Sequence, residues 1–193
     1  LWYEVAFDDL AQVPGIPYTY RSSSKSRSLF VKHPPLDRDV AAQPRKQKIA
    51  DVKNGMTTGD ENRFTRLYWE VDASTIGYAH KWVPYAKAGG YGRYYTSIDW
   101  VVLWESKGKD IKQYNGSTVR NESYFFRSGM TYTNKPSPNK RYFAIRMLPS
   151  NCIFSGGSPG CFPSSDFGLQ LMAVIGSSLA YYLLKLYSGE HNW

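Results

Sequence analysis

Short apolar and aromatic runs, separated by turn residues, occupy most of the chain from Ile49 onward. Runs rich in β-branched and aromatic residues, with Gly, Asn, Ser and Pro between them, are typical of β-strands joined by turns. The runs are RLYWEV, DWVVLWE, YFFR, MTYTN, RYFAIRML and NCIFSG. The pattern therefore predicts a β-rich body.

The segment from Leu169 to Tyr187 has a different period, that of an α-helix. Polar residues such as Gln170 and Lys185 interrupt it, so it differs from the continuous apolar stretch of a membrane span. We predict one amphipathic helix that faces the core and that Gly189 ends. The apolar positions at helical spacing are Met172, Ile175, Leu179, Leu183 and Leu186.

The first 48 residues lack a comparable strand pattern. Residues 1–20 include the proline- and glycine-rich stretch VPGIPYTY, which predicts a loop or an extended arm. Residues 21–48 are basic and serine-rich, and we expect a short helix near Leu29 or Val40. The predicted fold class is α+β. Residues 1–48 form a connecting arm, and residues 49–193 form a β-rich domain with a helix at residues 169–187.

Composition adds a basic charge to this picture. The 193 residues carry a formal net charge of +8, and 16% of them are aromatic. A basic surface with interleaved rings suits phosphate groups and stacked bases, although net charge alone is a weak indicator of partners. The chain begins without methionine and without a basic leader. We expect it to be part of a longer cytoplasmic protein without a membrane span.

The cysteines and histidines do not form a recognisable metal or redox motif. Cys152 and Cys161 lack the spacing of such motifs, so a disulfide and two reduced thiols both remain open, with reduced thiols favoured in the cytoplasm. The three histidines are far apart in the sequence. The glycine-rich stretch Ala88–Gly92 lacks the patterns of nucleotide-binding loops. We predict no catalytic residue and no metal ligand in this chain.

A metal-dependent DNA nuclease is the alternative enzymatic interpretation. Asp99, Glu105 and Lys107 resemble the two carboxylates and the lysine of such enzymes. If these residues follow one strand, however, the carboxylates lie roughly 20 Å apart. One metal ion needs both within about 2.5 Å of itself, so the spacing disfavours this alternative.

Basic and aromatic side chains on predicted turns are the remaining functional signal. Arg and Lys neutralise phosphates or pair with guanine, and Tyr stacks or hydrogen-bonds. A non-catalytic module whose rings stack on sugars is a further interpretation. The residues that we expect to bind DNA are Arg63, Lys81, Lys87, Tyr91, Arg93, Tyr94, Tyr95, Arg120, Asn121, Arg127, Lys140 and Arg141.

The order of these motifs resembles the C-terminal target-recognition region of large bacterial adenine-N6 DNA methyltransferases. That TaqI-like region is found in fused type IIG restriction–modification enzymes and in methyltransferases of BREX phage-exclusion systems. Tyr94 departs from the family, which usually has tryptophan there. The stretches that carry the resemblance are VPGIPYTY, GMTTGDENRFTRLYWEV, KWVPYAKAGGYGRYY, VVLWESKGKDIK, RNESYFFRSGMTYT and LQLMAVIGSSLAYYLLKL.

The resemblance implies a sequence-specific DNA-recognition domain of an adenine-N6 methyltransferase in restriction–modification or phage defence. It places Gly55, Thr58, Gly59 and Asn62 at the junction between the catalytic and recognition domains. Double-stranded DNA and an upstream catalytic domain of the same polypeptide are then the expected partners. S-adenosylmethionine belongs to that upstream domain, and we expect no cofactor in this chain.

Overall fold

The computed structural model describes residues 4–33, 35–37, 48–89, 92–134, 142–164 and 168–188. Its mixture of helices and strands confirms the α+β class. The helices are α1 (Phe7–Ala11), α2 (Ser24–Lys32), α3 (Glu61–Phe64), α4 (Glu105–Gln113), α5 (Gly168–Ile175) and α6 (Ser178–Ser188). The strands are β1 (Ala50–Lys53), β2 (Thr65–Leu67), β3 (Trp82–Ala86), β4 (Trp100–Leu103), β5 (Gly129–Tyr132), β6 (Ile145–Leu148), β7 (Ile153–Phe154) and β8 (Gly160–Pro163).

Most of the predicted apolar runs contain strands, and two differ. The run RLYWEV contains β2, but its second half is a 3₁₀ turn in which the Glu70 carboxylate accepts from the Leu67 N–H at 2.6 Å. The prediction of a strand at YFFR is wrong. Phe125 is buried there and Phe126 has a φ of 59°, a left-handed value that interrupts extended backbone.

The strands form two four-stranded sheets. Sheet one has the order β1-β8-β5-β6 and is antiparallel throughout. Sheet two has the order β2-β4-β3-β7, in which only the pair β3 and β7 is parallel. Because β7 and β8 lie in different sheets, the short segment 155–159 between them connects the two layers.

Sheet one has apolar cores on both of its faces. Leu148 of β6 packs in the larger cluster with Val83 of sheet two. Ile145 of the same strand packs in a second cluster with Met172 of α5 and Tyr181 of α6. Since successive side chains of a strand point to opposite faces, one strand can supply both cores, as β6 and β8 do. Sheet one therefore lies between sheet two and the C-terminal helices.

The C-terminal segment is helical as predicted, but it forms two helices instead of one. α5 and α6 meet at an angle of 63°. The Ser177 hydroxyl caps α6 by accepting from the Ala180 N–H at 3.2 Å, and it follows Gly176, which tolerates the bend. The prediction of core-facing positions assumed one straight helix. It is wrong for Leu179 beyond the bend, which is 60% exposed. No single helix among the described residues is long and apolar enough to cross a membrane; α5 and α6 reach that threshold only when counted together.

Residues 4–33 contain the two short helices α1 and α2. α2 includes Leu29, as predicted, whereas Val40 lies outside the described residues. Ser23 begins this helix, and its hydroxyl accepts from the Ser26 N–H at 3.1 Å. The helix near Leu29 is therefore explained by a local capping signal.

Arg27 of α2 is buried and holds this helical part together. Its guanidinium pairs with the Asp9 carboxylate of α1 at 3.4 Å. It also donates to the backbone carbonyls of Ser22 at 2.5 Å and Thr19 at 3.4 Å. A buried charge is tolerated when a counter-charge is near. Asp9 supplies that counter-charge, and both terminal nitrogens of the guanidinium are hydrogen-bonded, whereas Nε is buried without a partner among the described residues.

The two cysteines are both free and buried, which confirms reduced structural thiols. Burial raises the pKa of Cys152 to about 12 and that of Cys161 to about 11. Both thiols therefore stay protonated near neutral pH and are poor nucleophiles.

Candidate nucleic-acid interface

The predicted junction segment runs antiparallel to residues 116–121. The Asn121 side-chain amide donates to the Asn54 carbonyl at 2.8 Å. Three residues further along, Thr57 and Thr118 exchange two backbone hydrogen bonds of 2.8 Å each. This pairing places Asn121 and the neighbouring Arg120 beside the junction.

Two of the junction residues are glycines for steric reasons. A Cβ atom on Gly55 would lie 2.0 Å from the Phe154 carbonyl oxygen, because residues 55 and 56 pack directly on β7. Gly59 has a φ of +76°, and a Cβ there would lie 2.7 Å from the Gly116 backbone. Only glycine fits both positions without a backbone shift.

The other two junction residues have different surroundings. Thr58 is buried, whereas Asn62 is exposed on α3. The Asn62 carbonyl accepts from the Arg66 guanidinium at 2.6 Å. The segment is thus a packed turn in front of β2, and its role as a boundary between domains remains a prediction.

Three predicted DNA-binding residues lie on or beside this packed turn. Arg63 is exposed on α3, with its guanidinium 5.3 Å from the centre of the Tyr114 ring. Arg120 is exposed and has no hydrogen-bond or ion-pair partner among the described residues. Asn121 has a left-handed φ of 52°, and its side-chain amide donates to the Asn54 carbonyl. Arg63 and Arg120 are therefore available for a ligand, and Asn121 has a structural contact.

Arg127 and Lys81 are exposed at two other places. The Arg127 guanidinium lies 5.0 Å from the centre of the Tyr124 ring, and the Lys53 ammonium lies 5.3 Å from the same centre. Two cations thus share one aromatic ring next to residues 120 and 121. Lys81 is held through its backbone carbonyl, which accepts from the Trp104 N–H at 2.8 Å.

Lys87 has a structural environment that the sequence did not indicate. Its ammonium pairs with the Glu61 carboxylate of α3 at 2.7 Å, and its side chain is only 16% exposed. It also lies 3.9 Å from the centre of the Trp100 ring. Lys87 therefore fastens α3 to sheet two, and its charge is largely matched.

Arg93 and Tyr94 contact the bend between α5 and α6. The Arg93 guanidinium donates to the Gly176 carbonyl at 2.6 Å and to the Tyr94 hydroxyl at 3.1 Å. Tyr94 has a left-handed φ of 69° and exchanges backbone hydrogen bonds with β6. Tyr95 is 76% exposed, more than Tyr94 at 40%. Tyr91, Lys140 and Arg141 lie outside the described residues.

An arginine outside the predicted set lies in the most distinctive surroundings. Arg146 of β6 is 4% exposed and lines a cleft of about 250 Å³ between the two sheets. Its guanidinium donates to the Thr133 hydroxyl at 3.1 Å and to the Ser158 hydroxyl at 3.2 Å. The sequence carried a signal for it, since an arginine inside the apolar run FAIRML is a candidate for a buried charge.

The structure does not bring together the residues of the nuclease interpretation, Asp99, Glu105 and Lys107. β4 separates Asp99 from Glu105, so these carboxylates flank opposite ends of one extended segment. Among the described residues, no group of three His, Cys, Asp or Glu side chains could hold a metal ion. The nuclease interpretation therefore gains no geometric support.

Comparison with known proteins gives two curated relatives. No protein-family model matches the chain. The adenine-specific methyltransferase PglX of Lacticaseibacillus casei is 25% identical over 203 aligned positions, which cover 96% of this chain and 16% of that protein. The adenine-specific methyltransferase BrxX of Escherichia coli is 23% identical over 180 positions, covering 91% of this chain and 14% of that protein. The chain is thus weakly similar to adenine-specific methyltransferases along most of its length and spans a small part of theirs.

Proposed function

We propose that this chain is the DNA target-recognition part of a site-specific adenine-N6 DNA methyltransferase in restriction–modification or phage defence. The observation that carries the proposal is the alignment with two adenine-specific methyltransferases. It covers 96% of the chain in one case and 91% in the other, at 25% and 23% identity. The chain corresponds to only 16% and 14% of those proteins. Methyl transfer would then belong to the remainder of such a protein, and target binding to this part.

The exposed cations support a role in DNA binding. Arg63, Arg120 and Arg127 are exposed, and the net charge of +8 favours a polyanionic partner. Arginines of this kind position a protein on phosphates or read guanine in the major groove. The parent enzyme would extrude the target adenine into its own catalytic pocket, since a base inside the duplex is inaccessible.

The partners follow from the same proposal. Residues 49–193 would bind duplex DNA, and residues 1–48 would connect them to an upstream catalytic domain of the same cytoplasmic polypeptide. S-adenosylmethionine would be bound by that upstream domain. This chain would need neither a cofactor nor a metal ion for its own task.

The test is the salt dependence of duplex-DNA binding by the 193-residue chain, measured by fluorescence anisotropy. We expect binding to weaken steeply with salt, and Arg120→Ala to reduce the slope of log K against log salt by about 1. Lys109→Ala is the matched control: it removes one exposed charge that the proposal does not use, and should leave the slope unchanged. Absence of salt-dependent binding would contradict the proposal, and magnesium-dependent cleavage would favour Asp99, Glu105 and Lys107 as nuclease residues.

Methylation-site mapping in cells carrying the full-length parent gene tests the biological role. We expect Arg120→Ala to lower or redirect methylation at the recognised sites, because this part of the protein would select the target. Lys109→Ala should give the unaltered methylation pattern. An unchanged pattern in the Arg120 variant would remove that residue from recognition.

A further inference from the structure

Arg146 is a buried cation whose counter-charge is missing from the described part of the chain. None of the ion pairs formed by the described residues involves it. The two hydrogen-bond acceptors that the described residues give it, Thr133 and Ser158, are neutral hydroxyls. A guanidinium has five N–H donors and remains charged even where burial lowers its pKa, as it does for Arg146.

The direction of this side chain follows from the strand register. Arg146 lies opposite Thr131 of β5, so both side chains point to the same face of sheet one. Leu148 shares that face and packs against sheet two. The guanidinium is therefore directed between the sheets, where Thr131 and Arg146 line the cleft together.

The opposite wall of the cleft comes from the end of β3 and the start of β4. It includes Lys87, Ala88 and Gly89. A Cβ on Gly89 would have no atom within 4 Å, so the backbone is accessible there. One acidic residue, Asp99, also lines the cleft and opposes an anion. Because Glu61 already matches Lys87, Arg146 is the cation of the cleft that has no ion-pair partner among the described residues.

We propose that this cleft binds a phosphate group of the DNA backbone, with Arg146 as the internal counter-charge. The proposal rests on the proposed DNA-recognition function and adds a specific contact to it. An arginine fork matches the geometry of two phosphate oxygens, and water exclusion in a cleft strengthens the pairing.

The first experiment tests phosphate binding without DNA. Thermal unfolding of the 193-residue chain is compared in sodium phosphate and in sodium chloride at equal ionic strength and pH. We expect phosphate to raise the Tm of the unaltered chain, and Arg146→Met to abolish that increase. Arg146→Lys keeps the charge and should retain part of it. Arg27→Met removes the other arginine that is buried among the described residues and should keep the full increase, since the phosphate-dependent difference is measured within each variant.

The second experiment uses a fluorescent duplex DNA. We expect Arg146→Met to weaken binding about tenfold at 150 mM salt and to reduce the salt slope by about 1, as for one lost phosphate contact. Asp99→Asn removes the opposing carboxylate and should strengthen binding severalfold. Circular dichroism below the unfolding temperature identifies variants that are folded, and Arg146→Lys serves if Arg146→Met is not.

The outcomes separate this inference from the proposed function. DNA binding with an unaltered slope in folded Arg146 variants overturns the phosphate contact and leaves DNA recognition intact. A phosphate effect on the Tm that persists in Arg146→Met also overturns it, since an adventitious ion then explains the effect. No DNA binding by the unaltered chain, together with an Arg146-dependent phosphate effect, rejects the DNA backbone as the source and the proposed function with it.

Discussion

Arg27 and Arg146 are two arginines that the fold buries almost completely, at 3% and 4% exposed, in two different parts of the molecule. Arg27 lies between the N-terminal helices, where the Asp9 carboxylate and two backbone carbonyls receive its donors. Arg146 lies between the two sheets, where the described residues give it two hydroxyls and an open cleft. The first charge is matched internally. The charge of Arg146 has no counter-charge among the described residues, so a ligand could supply one.

Structural cations in a basic protein differ from cations that are available for a ligand in how their charge is matched. Burial alone does not decide, because both guanidiniums are inside the fold. Exposure alone does not decide either, since Arg93 is exposed and yet holds the Gly176 carbonyl at 2.6 Å. The useful criterion is whether the partners of the cation neutralise it. By that criterion Arg27 and Lys87 are structural, whereas Arg120 and Arg146 are available for a polyanion.

Glycine substitutions in the β-rich part and in the helical part have different predicted costs. We expect Gly55→Ala to lower the free energy of unfolding by at least about 3 kcal/mol, because its Cβ would lie 2.0 Å from the Phe154 carbonyl oxygen. Gly15→Ala in the helical part is the matched control. Its φ of +84° disfavours alanine, but no atom lies within 4 Å of the added Cβ, so we expect a loss of about 1 kcal/mol.

Chemical denaturation of the two alanine variants measures this difference directly. A loss for Gly55→Ala that is no larger than for Gly15→Ala would mean that β7 moves away without cost. The junction would then be a loose connection and not the packed turn described above. Unaltered denaturation slopes in both variants would show that the compared states remain the same.

The two arginines themselves give the next largest effect. We expect Arg27→Met to lower the free energy of unfolding by about 1–3 kcal/mol, because the Ser22 carbonyl loses its donor and Asp9 loses its counter-charge. Arg146→Met should change it by less than about 1 kcal/mol or increase it, since removing a buried charge without a counter-charge relieves its desolvation. Urea denaturation of both variants at pH 7 and low salt checks the prediction.

Equal losses for the two methionine variants would erase the distinction. The neutral groups around Arg146 would then stabilise its charge as effectively as the Asp9 carboxylate stabilises Arg27. A structural role would explain both arginines. The conservative changes Arg27→Lys and Arg146→Lys sharpen the result. Lysine keeps the charge but lacks the planar fork, so it should restore little stability at position 27, where four acceptor groups receive donors.

The sequence anticipated the fold where local pattern decides the structure. Apolar runs indicated β4, β5, β6 and β7, and the helical period indicated the C-terminal segment. The failures have tertiary causes. The left-handed Phe126 ends the predicted strand at YFFR, and Arg93 contacts the carbonyl of Gly176 at the bend that divides the predicted helix. Neither contact is visible in a local pattern, because residues 93 and 176 are 83 positions apart.

The candidate site was predictable to a smaller extent for the same reason. Exposed cations such as Arg120 follow from turn-rich, basic stretches of sequence. The pairing of Lys87 with Glu61 depends on the packing of α3 against sheet two and could not be inferred. Arg146 was missed although an arginine within an apolar run is a recognisable sign of a buried charge. Its significance comes from the neutral surroundings and the cleft, which require the structure.

The buried thiols should have the smallest effect on stability. Unlike the buried arginines, they are neutral at pH 7, and burial keeps them so. Burial raises the pKa of Cys152 to about 12 and that of Cys161 to about 11, from an ordinary value near 9. Because the folded state keeps the protons longer than the unfolded state, this stability is complete below about pH 9 and is lost as the pH rises towards 11. We expect a loss of about 1 kcal/mol per thiol between pH 8 and pH 10, measured by urea denaturation, and a smaller loss in the Cys152→Ala, Cys161→Ala double variant. Both thiols lie in the β-rich part, so Arg27→Met should leave the pH dependence of stability unaltered. If the cysteine double variant has the same pH profile as the unaltered chain, other groups, such as the buried Tyr85, control the pH dependence.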